Sequence, residues 1–260
     1  SLKNNTTANS NTAVGASALT ANTTGTNNVA VGKSALAANT TANGNIAVGA
    51  SVLDANTTGA SNVGIGHEAL GANTTGGENV AIGYGALDAN IGTANNTAVG
   101  YLALSAATAA NNTAVGKSAL AANTTGAGNT VVGTSAAVAN TTAANNTIVG
   151  FEAFGTNTTG HSNVAIGKAT MYANTTGNVN TAAGYAALSG NTTANQNTAF
   201  GGYALQANTT GVQNVAVGDY VLDANTTAHY NTGLGSQALS GNTTGASNVA
   251  VGHRSLLVNT

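Results

Sequence analysis

The sequence predicts an all-β fold, a parallel β-solenoid of about fifteen 17-residue coils, and three observations lead there. First, Asn-x-x-x-Gly recurs at Asn11, Asn28, Asn45, Asn62, Asn79, Asn96, Asn112, Asn129, Asn146, Asn163, Asn180, Asn197, Asn214, Asn231 and Asn248. Self-similarity at a short fixed period is the mark of a stacked repeat. Second, each unit holds a β-branched run, a Gly corner, a short Ala-Leu segment and an Asn-Thr-Thr-Gly turn, too little chain for a helix pair. Third, the 260 residues include only 5 basic and 7 acidic side chains, 5% charged against roughly 25% in ordinary globular chains. The one irregular spacing, 16 between Asn96 and Asn112, loses its residue within 106–110, which marks that stretch as a turn.

Numbering columns from the Asn, column 1 is Asn in all fifteen copies. Columns 2 to 4 are the strand. Column 2 is Thr eight times, Val six and Ile once, and column 3 is Ala eleven times, with Gly64, Val131, Ile148 and Gly233 as departures. Column 4 is Val or Ile in twelve copies, with Ala183, Phe200 and Leu234 in the others. Columns 2 and 4 point one way and column 3 the other. Column 5 is Gly from Gly15 to Gly252, suiting a positive φ or a close approach to the next coil. Column 9 is Leu in twelve copies, with Ala137, Phe154 and Met171 instead. The segment around it is expected to be strand, since the flanking Gly and Asn-Thr-Thr leave a helix only two turns. Columns 4 and 9 then form the core, with Val14, Val31, Val48 and Ile65 stacked inside beside Leu19, Leu36, Leu53 and Leu70. Column 12 is Asn in fourteen copies, Asn22 to Asn259, with Ala107 the exception. Columns 1 and 12 suit either amide ladders along the axis or turns in which Asn accepts left-handed backbone.

A strand apolar on both faces needs a second cover, because one solenoid buries only one face. Identical chains, as a trimer or filament, are the expected partner. Columns 6, 7 and 10 vary freely and carry Lys33, His67, Glu68, Asp88, Lys117, Glu152, Lys168, Asp219, Asp223, His253 and Arg254, which makes them the outer edge.

Five scattered cations form no stripe for a phosphate backbone, so nucleic acid is excluded as the main partner. Residues 1–50 hold no signal pattern and no apolar run of about 20 residues occurs, so no membrane insertion is expected in this segment. With no Cys there are no disulfides or thiolate ligands. His67 and His253 share column 6 eleven repeats apart, His161 and His229 share column 16 four repeats apart, and Glu68 and Glu78 form no ladder. No catalysis, metal or cofactor is expected. Tyr84 and Tyr101 occupy column 6 of adjacent coils, and Tyr203 and Tyr220 column 7 of adjacent coils. These four are candidate surface contacts for sugar rings, against the alternative of cross-strand packing. Thirteen Asn-Thr-Thr triplets, from Asn5 to Asn242, are formal N-glycosylation acceptors unless column 12 is a buried ladder. Ice binding would need a flat outward Thr array, whereas Thr at columns 13 and 14 points two ways and column 2 is interrupted by Val or Ile.

Asn79-Val80-Ala81-Ile82-Gly83 and Asn163-Val164-Ala165-Ile166-Gly167 resemble the S-V-A-I-G heart of the head repeats of YadA-like trimeric autotransporter adhesins. The longer unit N-T-A-V-G…A-L…A-N-T-T-G is similar to repeats of phage tail fibres and of large surface proteins of aquatic bacteria. The resemblance implies a left-handed parallel β-roll, three chains about one axis, and attachment to a surface or host receptor. Residues 1–260 read as a single repeat array, and Ser1 to Thr7 and Val258 to Thr260 fall in phase without caps, as in a window of a longer fibre. The functional expectation is a structural or adhesive extracellular segment, a stiff spacer or attachment stalk of a cell surface or virion, in contact with identical chains and with surface glycans or a receptor. The alternative is a module binding a repetitive ligand, ice or polysaccharide.

Overall fold

A single three-residue strand per coil carries the architecture, and it falls on columns 2 to 4 every time. The computed structural model describes residues 1–258, so Asn259 and Thr260, the last residues of the column-12 and column-13 readings, lie outside the described residues. The chain forms two compact units, Ser1–Gly128 and Asn129–Thr260. The first holds β1 (Thr12–Val14), β2 (Val29–Val31), β3 (Ile46–Val48), β4 (Val63–Ile65), β5 (Val80–Ile82), β6 (Thr97–Val99) and β7 (Thr113–Val115). The second holds β8 (Thr130–Val132), β9 (Thr147–Val149), β10 (Val164–Ile166), β11 (Thr181–Ala183), β12 (Thr198–Phe200), β13 (Val215–Val217), β14 (Thr232–Leu234) and β15 (Val249–Val251). Within each unit every strand pairs in parallel with the next, column on column, as in Ala30↔Ala47 and Ala165↔Ala182. The short coil keeps this register, Thr97↔Thr113, so its missing residue is absorbed in the turn. No helix occurs among the described residues, and the fold is an all-β solenoid.

The interior corrects two expectations. Column 4 points outward: Val14, Val48, Ile65, Ile82 and Ile166 are exposed and Val31 is half-buried, while Ala30, Ala47, Ala81 and Ala165 of column 3 are fully buried. The reason is width. Buried Asn from columns 1 and 12 and buried Leu from column 9 already fill the coil, so the inward residue of the strand must be small. The Ala-Leu segment is also not a strand. Columns 8 and 9 are both fully buried, as with Ala35 and Leu36, which an alternating strand could not achieve. Left-handed residues at columns 7 and 9, such as Ser34 (φ 59°) and Leu36 (φ 50°), turn both side chains inward. A left-handed Leu costs roughly 1–2 kcal/mol. Burying its side chain returns about 1.5–3 kcal/mol, and its N–H donates to Val52 O of the next coil at 3.0 Å.

Column 5 behaves as expected. Gly83 sits at φ +135°, and a Cβ there would lie 2.4 Å from Gly100 O of the next coil. Column 3 shows a different use of glycine. Column 8 is Val instead of Ala at Val52 and Val221, and in the coil that follows each, column 3 is Gly instead of Ala. A Cβ on Gly64 would meet Val52 Cγ1 at 2.5 Å, and one on Gly233 would meet Val221 Cγ1 at 2.5 Å. Volume is traded between adjacent coils. A similar exchange occurs where column 9 shrinks to Ala137, because column 3 grows to Val131 in that coil and to Ile148 in the next, all three being buried.

The trade is testable by a double-mutant cycle. Gly64→Ala alone is expected to destabilise by about 1–3 kcal/mol through overpacking, and Val52→Ala alone by about 1–3 kcal/mol through a cavity. The pair should recover most of the loss in thermal melting, giving a coupling of opposite sign to the single effects. Additive losses would contradict the exchange.

Candidate functional site

The constant columns face each other inside the coil. Along column 12 an Asn donates from Nδ2 to Oδ1 of its counterpart one coil back: Asn39 to Asn22 at 2.9 Å, Asn73 to Asn56 at 2.9 Å, Asn174 to Asn157 at 2.9 Å. Column 1 forms a second ladder in which Oδ1 accepts the backbone N–H of the next Asn, as from Asn45 to Asn28 Oδ1 at 3.0 Å. The two ladders meet on one atom. Gly76 O accepts both Asn62 Nδ2 at 2.9 Å and Asn73 Nδ2 at 3.0 Å, and the same pairing recurs at Gly59, Gly177 and Ala228. Both Asn columns are therefore buried ladders with full hydrogen bonding, and they hold the coil shut as well as stacked.

Where the column-12 ladder breaks, a neighbour substitutes. Ala107 has no amide to donate to Asn90 Oδ1, and in that preceding coil column 15 is Thr93 instead of Gly or Ala. The Thr93 hydroxyl donates to Asn90 Oδ1, while Asn96 Nδ2 reaches Thr93 Oγ1 at 3.3 Å. Thr93→Ala is expected to cost about 1–3 kcal/mol by leaving a buried acceptor without a donor. Thr58→Ala, at an exposed column-14 position, should stay within about 0.5 kcal/mol. Thermal melts of the two variants decide the point, and equal effects would contradict it.

The ladders also dispose of the glycosylation sites. From Asn22 onward the Asn of each described Asn-Thr-Thr triplet is buried, with its Nδ2, the atom a glycan would occupy, donating to the ladder or, as at Asn123, to a backbone carbonyl. In protein secreted from a eukaryotic cell, mass spectrometry of the folded fraction should find these positions unmodified. A glycan on Asn73 or Asn174 of folded material would contradict the buried ladder.

The threonines of the triplets divide. Column 13 is turned to the stack, Thr57 Oγ1 donating to Thr74 O at 3.0 Å and Thr175 Oγ1 to Thr192 O at 3.1 Å. Column 14 is exposed at Thr24, Thr41, Thr58 and Thr75 in the first unit, and at Thr142, Thr159, Thr176, Thr193, Thr210, Thr227 and Thr244 in the second. The hydroxyls of these column-14 threonines make no hydrogen bond to another described residue. An outward, nearly uniform column therefore exists that the sequence had assigned to turn formation.

The variable edge collects the aromatic side chains. Tyr84 and Tyr101 stack with centroids 5.3 Å apart and planes 14° apart, and His67 extends the stack at 5.4 Å. Tyr203 and Tyr220 stack at 4.8 Å and 17°. Sequence comparison within one column missed Tyr185, which meets Tyr203 edge-on at 5.1 Å from column 6 of the preceding coil. The diagonal between columns 6 and 7 of adjacent coils was the available signal. Lys168 lies 5.8 Å from the Phe151 centroid and 5.9 Å from that of Tyr185. Partial burial, with Tyr185 beside it, raises the Tyr203 phenol above its ordinary value.

Other titratable groups are not gathered for chemistry. His229 Nδ1 accepts the Val212 N–H at 2.9 Å, a coil-to-coil bond, and His67 approaches its neighbour Glu68 at 3.5 Å. Asp54 and Asp88 are raised by partial burial, with Glu68 adding like charge to both. Among the described residues no group of three His, Cys, Asp or Glu side chains could hold a metal ion, no pocket is present, and no helix is long and apolar enough to cross a membrane. Stack, ladders and edge define a β-solenoid repeat protein. No family model, curated protein or solved structure matches the chain.

Proposed function

We propose that this chain is a structural and adhesive segment of an extracellular fibre, a stiff spacer or attachment stalk of a cell surface or phage tail, without enzymatic activity, assembled from identical chains. The observation that carries this reading is the outward sheet face. Columns 2 and 4 present Thr, Val and Ile in all but three positions, Ala183, Phe200 and Leu234, without one charged residue, and Val132 and Ile166 are 37% and 43% exposed. A regular uncharged β-branched face is a surface that another copy covers. The resemblance to adhesin head repeats favours three-fold symmetry. Ladders on nearly every coil supply the resistance to bending that a spacer needs.

Sedimentation velocity tests the assembly. The chain should run at a multiple of 24.8 kDa, and Ile82→Lys with Ile166→Lys should return it to monomer with its fold retained. A wild-type monomer would refute association through this face.

The exposed column-14 threonines favour a second reading, a module for a repetitive ligand such as ice or polysaccharide, because successive coils present the same outward hydroxyl, interrupted at Gly92 and Ala109. Thermal hysteresis lost on replacing Thr176, Thr193 and Thr210 by Lys would move the assignment to ice.

A further inference from the structure

Oxidisable side chains are few in this chain, and most of them touch one another. There is no Cys and no Trp, and the single Met, Met171, is fully buried, so the phenols are what an oxidant meets first. Of the seven Tyr, Tyr84 and Tyr101 stack at 5.3 Å and 14°, and Tyr203 and Tyr220 at 4.8 Å and 17°. Tyr185 meets Tyr203 edge-on at 77°, and among the described residues Tyr172 and Tyr230 have no Tyr ring against them. Backbone bonds between coils hold the stacked pairs. Leu102 N–H donates to Tyr84 O at 2.9 Å, beside Tyr101, and Tyr220 N–H donates to Gly202 O at 3.0 Å, beside Tyr203. Tyr203 and Tyr220 share left-handed backbone, φ 59° and 55°, so their side chains leave adjacent coils in the same direction. His67 lies against the other face of Tyr84 at 5.4 Å and 7°, which leaves that ring Tyr101 as its one Tyr partner.

We propose that Tyr84–Tyr101 and Tyr203–Tyr220 are oxidative modification sites, each pair joined by a dityrosine bond that bolts one coil to the next. The oxidant is hydrogen peroxide acting through a haem peroxidase. It takes one electron and one proton from each of two phenols and leaves as two waters. Each phenoxyl radical spreads its unpaired electron over the oxygen and the ortho and para ring carbons, and the para carbon already carries Cβ. The open position is therefore an ortho carbon, Cε. The two radicals join through their π faces, one Cε of each ring forming the new bond along the ring normal. Each ring then moves the hydrogen of that carbon to its oxygen as a proton, which restores both phenols, and the net loss is two hydrogens per bond. Stacked rings present faces to each other for this step, whereas the edge contact of Tyr185 with Tyr203 does not. Tyr84, Tyr101 and Tyr220 are exposed and Tyr203 is half-buried, so both pairs are within reach of the oxidant. Each bond lies within one chain and closes a 17-residue loop, which restrains the unfolded chain, and neither assembly nor a repetitive ligand is needed for it.

Cross-link mapping tests the bonds. The full chain, mixed with an equal amount of isotope-labelled chain, is treated with hydrogen peroxide and a haem peroxidase and digested for mass spectrometry, with dityrosine fluorescence followed in parallel. Tyr84 should be joined to Tyr101 and Tyr203 to Tyr220, each linked pair lighter by two hydrogens and drawn from one copy, labelled or unlabelled. Tyr101→Phe and Tyr220→Phe each remove one hydroxyl from the variable edge and keep the ring. Each variant should lose its own link and retain the other. Unfolding the chain in denaturant before oxidation should abolish the preference for these two pairs. Absence of either link, links of Tyr172 or Tyr230 as frequent as those of the stacked pairs, Tyr203 joined to Tyr185 in place of Tyr220, or links only between labelled and unlabelled copies would overturn the proposal.

Discussion

The meeting of two asparagine amides on one carbonyl, repeated in coil after coil, is what the rest of this structure depends on. A 17-residue coil with one three-residue strand has few sheet hydrogen bonds to close it. Asn62 and Asn73 supply the closure by converging on Gly76 O, and each also bonds to the coil before. Asn suits this because one short neutral group donates and accepts. Asp would stack like charges in a dry interior, and Ala would leave acceptors bare. The substitution of Thr93 beside Ala107 indicates how strictly the requirement is met.

The same closure sets the interior width, and the width sets everything that packs there. With amides on two sides and Leu on a third, column 3 has room for Ala. Val52 is accommodated only opposite Gly64, and Val221 only opposite Gly233. Such reciprocal exchanges are the behaviour of a close-packed core. They also explain why the larger β-branched residues of columns 2 and 4 are outside, where they form an uncharged face.

Variation is confined to columns that stacking leaves free. Aromatic rings, charges and glycines accumulate at columns 6, 7 and 10, and neighbouring coils settle them into local arrangements, ring on ring at Tyr84 and Tyr101, ring edge-on to ring at Tyr185 and Tyr203.

The period, the parallel stacking, the Gly corner, the buried Leu of column 9 and the position of the deletion were all legible in the sequence, because a column repeated fifteen times exposes its own constraint. The stacked pairs Tyr84–Tyr101 and Tyr203–Tyr220 followed from shared columns for the same reason. The sense of the strand was not legible: alternation sets columns 2 and 4 against column 3, but hydrophobicity alone favours Val inside, and only the closed coil, with Asn28 and Asn39 pointing in, shows that Ala30 takes the interior and Val31 the outside. The turn through Ser34 and Leu36 was hidden as well, because left-handed backbone at Leu is unfavourable locally and is repaid only by burial between coils. Tyr185 entered the aromatic edge through a diagonal neighbour, a relation that exists only once the coils are stacked.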